Sequence, residues 1–381
     1  MKAPLSSTSS SDAPGRRALK AFGVAVLLFI AVDLLCRALL PQGFLLRIEH
    51  LTRERMATAP APDIQIVGDS VARSGFLASA LTDETVIARS DALPGSGPVF
   101  SYFMLRDQFE RGEIPKALII AHSPHVLGQL RYPLVVGGFA RWSEIPELAM
   151  DFGWWSETVY GTLTRLSYIL MHRDSFRDIV TNRDFSFFRE PDSDTNLFSD
   201  RNELVTFRKE LAQGLFDKSK LPPEAGDFYR QRFTVTPEND RYFRRILAMA
   251  KANNVKVYWL TMPTPGSVLD ARSKMNFEPD MLNYLRQFET SGEMTLLRPQ
   301  FVVYDDNRFR DFLHLNLAGA VKLGCELRVL KPQIVKDLPP IETSPERFTG
   351  LTRYYIGAPD ADDPRKVLDE YCVKPQFAAG H

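Results

Sequence analysis

From Ala18 to Leu40 nearly every position is apolar (ALKAFGVAVLLFIAVDLLCRALL). About 20 such residues, rising ~1.5 Å each in a helix, cross a hydrocarbon core of ~30 Å, so the run predicts a transmembrane anchor over 18–40. Lys2, Arg16, Arg17 and Lys20 cluster at its start, and the next basic residue beyond the run is Arg47. That asymmetry places the N-terminus in the cytoplasm and residues from 41 onward in the periplasm or outside the cell. A cleaved signal peptide needs small residues before its cut, which LLCRALLPQG lacks. Leu35 before Cys36 speaks equally against a lipoprotein site. Asp33 and Arg37 lie one helical turn apart within the run. Either they pair and snorkel to the interface, or their face docks against a partner membrane protein.

Outside the anchor the pattern changes period. Residues 1–17 are Ser/Pro-rich and basic and read as a disordered cytoplasmic tail, and 41–62 read as a linker ending in ATAPAP. Then come short apolar runs: Asp63–Val67 (DIQIV), Thr85–Ala88 (TVIA), Ala117–Ala121 (ALIIA), Val255–Thr261 (VKVYWLT) and Phe301–Tyr304 (FVVY). Helical stretches follow most of them, among them Pro98–Arg111, and Asp240–Ala252 precedes the fourth. Short buried strands alternating with helices predict an α/β domain over 63–338, its parallel sheet covered on both faces. Residues 126–239 interrupt it as a large, mainly helical insertion, the place for a lid or substrate-binding subdomain. Its aromatics, including Trp142, Trp154, Trp155, Tyr160 and Tyr168, are core or a stacking platform for sugars. Residues 339–381 form a Pro- and charge-rich C-terminal extension with no evident chemistry.

Composition narrows the function. Lys plus Arg and Asp plus Glu both number 47, giving net charge zero, so no electrostatic case exists for a nucleic-acid partner. The three cysteines form no CxxC pair and no zinc-ligand cluster. On the far side of a membrane, Cys325 and Cys372 either bridge or remain separate thiols. No P-loop and no GxGxxG follows a strand, so neither metal nor nucleotide cofactor is implied.

The chemistry gathers at two ends of the α/β domain. In such sheets reactive groups collect beyond the C-terminal ends of strands. Ser70 lies there, after the first strand and at the start of a helix whose N–H groups can hold an oxyanion. A serine hydroxyl stays inert until a base takes its proton. Of six histidines, His314 is the candidate base, because Asp311 three residues earlier can hold its Nδ1–H and leave Nε2 for Ser70.

Ile66-Val67-Gly68-Asp69-Ser70 near one end, with Asp311-x-x-His314-x-Asn316-x-x-Gly319 near the other, resembles the SGNH (GDSL-type) hydrolase superfamily. The resemblance spans roughly residues 63–330. It implies a three-layer, flavodoxin-like parallel-sheet sandwich with Ser70, Asp311 and His314 as catalytic residues. The oxyanion donors would be the N–H groups of Ser70 and of a glycine in Leu93-Pro94-Gly95-Ser96-Gly97-Pro98, Gly95 first and Gly97 as alternate. One departure stands out. The family's third block, Gly-x-Asn-Asp, is replaced by Ala121-His122-Ser123-Pro124-His125, so the asparagine donor is missing. Either His122 or Ser123 substitutes, or the loop is structural.

Missing block, anchor and insertion together resemble a subset of the superfamily. Its members O-acetylate extracytoplasmic polysaccharides such as alginate, or transfer D-alanine to teichoic acids. That likeness implies an acyl group delivered through a multi-spanning membrane O-acyltransferase and a polysaccharide as acceptor. Three functions are thereby open: an O-acyltransferase, an anchored esterase or deacetylase, and a non-catalytic scaffold of a polysaccharide-modification complex.

Overall fold

The computed structural model describes residues 13–40, 61–129, 139–151, 155–183, 232–297, 302–339, 368–369 and 371–373. The apolar run forms one helix, α1 (Ala13–Leu39). Its Gly15–Leu39 part is long and apolar enough to cross a membrane. It begins earlier than the hydropathy pattern suggests, so residues 13–17 are helix and not disordered tail. Pro14 falls in the first turn, where its missing N–H has no intrahelical partner to lose. The remainder of that tail, residues 1–12, and residues 41–60 of the linker lie outside the described residues.

β1 (Ile64–Gly68) leads directly into the short helix α2 (Ser70–Gly75). β2 (Ala88–Ser90), α3 (Pro98–Glu110) and β3 (Ala117–Ala121) follow, and α4 (Pro124–Leu127) opens the insertion. Within the insertion lie α5 (Ile145–Asp151), α6 (Trp155–Leu166), α7 (Tyr168–Met171) and α8 (Arg173–Asn182). The domain resumes with α9 (Pro237–Ala252), β4 (Lys256–Trp259), β5 (Thr264–Pro265), α10 (Gly266–Ser273) and α11 (Phe277–Thr290). It ends with β6 (Thr295–Leu296), β7 (Val303–Tyr304) and α12 (Leu317–Val335).

Five strands form one parallel sheet in the order β2-β1-β3-β4-β6. Side chains of a strand alternate between faces, and β3 divides its residues accordingly. Ala117, Ile119 and Ala121 join one core with Val71 and Ala72 of α2 and Val321, Leu323 and Leu327 of α12. Leu118 and Ile120 join the other, with Phe103 of α3, Phe243 and Ile246 of α9, and Met281 and Leu285 of α11. Both faces are covered, which is why every residue of β1 and β3 is buried.

Three elements shift from their expected places. The second strand is Ala88–Ser90, not Thr85–Ala88. Asp83 accepts from the N–H groups of Thr85 (2.7 Å) and Val86 (2.9 Å), and Asp63 from that of Ile87 (3.0 Å). Side-chain acceptors thus occupy the donors a ladder would need. The fifth strand of the sheet is Thr295–Leu296, not 301–304. Gly292 (φ 71°) turns the chain at the end of α11, and Met294, Leu296 and Leu297 drop into the core. Val303–Tyr304 pairs instead with Thr264–Pro265 in a separate two-stranded ladder, while Phe301 is outside the described residues. Finally, α9 starts at Pro237. The Thr236 hydroxyl accepts from Asn239 N–H (3.2 Å), a cap that the apolar pattern alone does not register.

The charged pair of α1 finds its use inside the chain. Asp33 accepts from the Ser167 hydroxyl (2.6 Å) and from Ile169 N–H (2.8 Å) at the start of α7. Arg37 donates to the carbonyl of Leu166 (2.8 Å) at the end of α6. The face docks, but against the protein's own insertion. Among the insertion's aromatics, Tyr168 is buried against His172, whereas Trp142 is exposed beneath the Arg165 guanidinium. Arg173 lies over the Tyr160 ring at 4.4 Å. Trp154 and the Trp155 side chain are outside the described residues.

Cys325 on α12 and Cys372 are disulfide-bonded, with Cα atoms 5.3 Å apart. Leu368 and Tyr371 are buried beside the bridge, so this part of the C-terminal extension belongs to the core.

Candidate active site

Numbered by position in the sheet, the strand order is 2-1-3-4-5. The winding direction therefore reverses between β1 and β3, and the loops leaving their C-terminal ends open a crevice where ligands of such sheets bind. Ser70 sits just past β1 at that crevice, and His122 and Ser123 just past β3.

Asp69 determines how the two loops meet. It is buried and caps α2, accepting from Val71 N–H (2.9 Å). Its second oxygen accepts from Ser123 N–H (3.0 Å) and from the Ser123 hydroxyl. One carboxylate thus fixes both turns and leaves Ser70 at the first position of α2, half-buried. Gly68 lets the strands close behind it. A Cβ there would lie 2.6 Å from the Ala121 carbonyl oxygen and 2.6 Å from the Ala72 Cβ, and neither neighbour is a flexible side-chain end. Gly68→Ala is expected to cost about 1–3 kcal/mol of stability and to displace Ser70. Thermal melting together with ester turnover checks both effects.

The second half of the site comes from the loop before α12. Arg310 N–H donates to the His314 carbonyl (2.9 Å), Asn316 N–H to that of Arg308 (2.9 Å), and Phe309 and Leu315 form a bridge. Buried Leu315 pins this loop to the core, and Asn316 caps α12 by accepting from Gly319 N–H (3.0 Å). A Cβ on Gly319 would lie 2.3 Å from the Arg308 carbonyl oxygen, so the approach of helix to loop requires glycine.

Asp311 and His314 both lie in this looped segment. Asp311 Oδ1 accepts from the N–H groups of Leu313 (2.8 Å) and His314 (2.7 Å). His314 Nδ1 lies 2.8 Å from Asp311 Oδ2, and His314 Nε2 lies 2.8 Å from Ser70 Oγ, across 244 positions of sequence. Burial raises the Asp311 carboxyl, but the bonds from the His314 ring and the two N–H groups outweigh it and hold it at about 2. An ionised carboxylate only accepts. Nδ1 therefore carries the imidazole proton, and Nε2 is left to accept from the Ser70 hydroxyl. Ser70, His314 and Asp311, expected from the sequence to act together, form one hydrogen-bonded relay.

The glycine loop adjoins it. Gly68 O accepts from Leu93 N–H (3.0 Å) and the Ser96 hydroxyl (2.6 Å), tying residues 93–96 to the end of β1. Pro94 and Gly95 form a turn closed by Ser96 N–H to Leu93 O (3.1 Å), and Gly95 has φ 70°. Gly97 instead caps α3, and a Cβ there would touch Val126 at 3.3 Å. Its role is packing, so of the two glycines Gly95 is the oxyanion candidate.

The substituted third block is structural. Ser123 commits both N–H and hydroxyl to Asp69. His122 is wholly buried, 3.1 Å from the Ser101 hydroxyl. Burial pushes its ring down from 6.5 to about 4, with the Asp69 carboxylate and the Ser96 backbone pulling partly back. A histidine kept neutral on folding takes up a proton only on unfolding, so its stabilising contribution is full above pH 6.5 and declines as pH falls toward 4. Denaturant midpoints at pH 7 and pH 5 should therefore differ more in the wild type than in His122→Gln.

Next to Val71 and Leu313, the sequence neighbours of Ser70 and His314, lies a shallow recess open to solvent. It is lined by Val71, Ser123, Met262, Phe312 and Leu313, with Arg272 also on its wall. The Arg272 guanidinium approaches Glu278 at 2.8 Å, and the lining mixes apolar side chains with Ser123, His125 and Thr264.

Sequence reading missed two supporting groups. Asp69 was legible only as part of a Gly-Asp-Ser turn, and its bond to Ser123 depends on β1 pairing with β3. The cap made by Asn316 had a signal, an Asn just before an apolar helix. No family model matches the sequence, and neither does any curated protein. Fold and site together define a parallel-sheet α/β protein with an Asp–His–Ser relay at its topological switch point.

Proposed function

We propose that this chain is a membrane-anchored, SGNH-type serine acyl-enzyme catalyst that transfers a short acyl group, acetyl foremost, to a hydroxyl of an extracytoplasmic polysaccharide. The observation that carries the reading is the Asp311–His314–Ser70 relay with both of its contacts at 2.8 Å. Ser70 Oγ attacks the acyl carbonyl while its proton passes to His314 Nε2, and Asp311 balances the imidazolium. The N–H groups of Ser70 and Gly95 hold the oxyanion. The leaving group departs with that proton, and Ser70 remains as an ester. A sugar hydroxyl then attacks the ester, gives its proton to Nε2 and leaves as the acylated product, and Ser70 recovers its proton.

The sheet order and the helices on both faces fit the SGNH sandwich. The apolar helix and the disulfide fit a domain outside the cytoplasm. A multi-spanning membrane O-acyltransferase is the proposed source of the acyl group. The assembled relay weighs against a decayed, purely structural scaffold. The test is to trap a radiolabelled acetyl group on the purified full chain and then add polysaccharide. Label on Ser70 that moves to the polymer supports transfer, and label that survives Ser70→Ala removes the proposal.

A specific observation keeps hydrolysis as the second reading. The Asp311 side chain is 38% exposed, so water reaches the edge of the relay. An esterase would turn over a simple aryl ester with no gain on adding sugar acceptor.

A further inference from the structure

The anchor and the insertion meet through polar contacts that an isolated membrane helix would not need. Asp33 bonds the N-terminal end of α7 and Arg37 the C-terminal end of α6, so these two side chains straddle the corner between the insertion helices. Asp33 is itself buried by this contact, at 5% exposure. Both charges lie in the last two turns of α1, at the end nearest the α/β domain. The corner at Leu166–Ser167 is thereby held beside the last two turns of α1, where a helix spanning Gly15–Leu39 would leave the hydrocarbon.

At that depth the insertion displays an apolar stripe. Val159, Leu163 and Leu166 fall at helical positions i, i+4 and i+7 of α6, on one face, and are 50%, 45% and 58% exposed. The other face points inward, with Thr164 buried. Trp142, 53% exposed, carries the Arg165 guanidinium 4.8 Å from its ring centroid. An aromatic ring with a cation over it is suited to the boundary between headgroups and acyl chains. Leu34, Leu35 and Leu39 near the same end of α1 are 58%, 57% and 71% exposed, the apolar surface a lipid-embedded helix presents. With α1 in lipid, the clamp at Asp33 and Arg37 brings the C-terminal end of α6 to the membrane.

We infer that α6, clamped to α1 by Asp33 and Arg37, lies along the bilayer interface with Val159, Leu163 and Leu166 in the acyl-chain boundary. The insertion is then a membrane-seated platform, and the occupant of its apolar stripe is lipid. Two attachments, one spanning helix and one interfacial helix, fix the orientation of the α/β domain over the membrane, which a lone helix on a linker leaves free. The inference rests on α1 spanning the membrane and is independent of the chemistry at Ser70.

The experiment uses the full chain in nanodiscs of phosphatidylethanolamine and phosphatidylglycerol, in a Cys36→Ser background that removes the free thiol of α1. Single substitutions Leu163→Cys, Val159→Cys, Phe29→Cys and Val329→Cys each carry an environment-sensitive nitrobenzoxadiazole label. Headgroup-proximal doxyl lipids are expected to quench the 163 and 159 positions about threefold more than the 329 position on α12, with blue-shifted emission at the first two. Deep doxyl lipids should quench position 29. Water-like emission at 159 and 163, quenched by aqueous iodide as strongly as 329, overturns the platform. Labels at 159 and 163 shielded from lipid and iodide alike overturn it too, because protein and not lipid would then cover the stripe. Lack of deep quenching at position 29 is a separate outcome that removes the anchor on which the inference rests.

Discussion

Ser70→Ala and His314→Ala are each expected to lower the rate of aryl-ester cleavage by about 10⁴-fold or more, the first because no Oγ is left to acylate, and the double variant to be no slower than either. Oγ without Nε2 is a neutral alcohol at 2.8 Å from nothing basic, and Nε2 without Oγ has no nucleophile to activate. The two side chains act as one unit, so removing the second changes little once the first is gone. Rates that multiply in the double variant would show two independent functions and contradict the relay. Folding gives an internal control. Ser70 is half-buried at the start of α2, where the cap is supplied by Asp69, so Ser70→Ala leaves the cap intact. Release of the aryl group from an aryl acetate, read beside the melting temperature, separates lost chemistry from lost structure.

Asp311→Asn is the next largest effect, with an expected loss of about 10³–10⁴-fold in acylation. The amide keeps an oxygen for the Leu313 and His314 N–H groups, so the loop retains its shape. Its NH2 donates, however, and the ring answers by moving its proton to Nε2. A protonated Nε2 cannot accept from Ser70. The expected signature is a fall in the acylation rate with little change in apparent substrate binding. The native carboxyl also contributes to stability in a defined window. Its folded value of about 2 lies below the ordinary 3.8, so the stabilisation is present above pH 3.8 and is lost as pH falls toward 2. Acid unfolding of wild type and Asp311→Asn should differ in that window, the variant lacking this part of the acid sensitivity.

The chain's linear order was enough for the elements whose signal is local. A run of apolar residues as long as 18–40 has one physical solution in lipid, and α1 matches it but for the extra turn before Ala18. Ala117–Ala121 became β3 residue for residue, because five apolar residues between polar neighbours admit a doubly buried strand. Gly-Asp-Ser after a strand and Asp-x-x-His before a helix were also legible, since capping and turn chemistry is written within three or four residues. Their meeting was an expectation drawn from chemistry and resemblance, and nothing in either segment alone encodes a contact across 244 positions.

Where the outcome depended on competition between distant groups, the local pattern failed. Thr85–Ala88 reads as a strand, yet Asp83 and Asp63 take its N–H donors and the ladder starts at Ala88. Phe301–Tyr304 reads as the fifth strand, yet the edge beside β4 is filled by Thr295–Leu296, delivered there by α11. The charges at 33 and 37 were visible but not their partners, because the corner at Ser167 is brought to them only when the insertion folds back on α1. Composition, hydropathy and turn chemistry thus determined which segment is long and apolar enough to cross a membrane, that Ala117–Ala121 is a buried strand, and which motifs cap helices. Tertiary structure alone decided which edge each strand joins, which carboxylate holds Ser123, and that Ser70 and His314 share a proton. Hydrogen-bond donors and sheet edges are satisfied once each, and the first claim on them belongs to whatever the whole fold brings nearest.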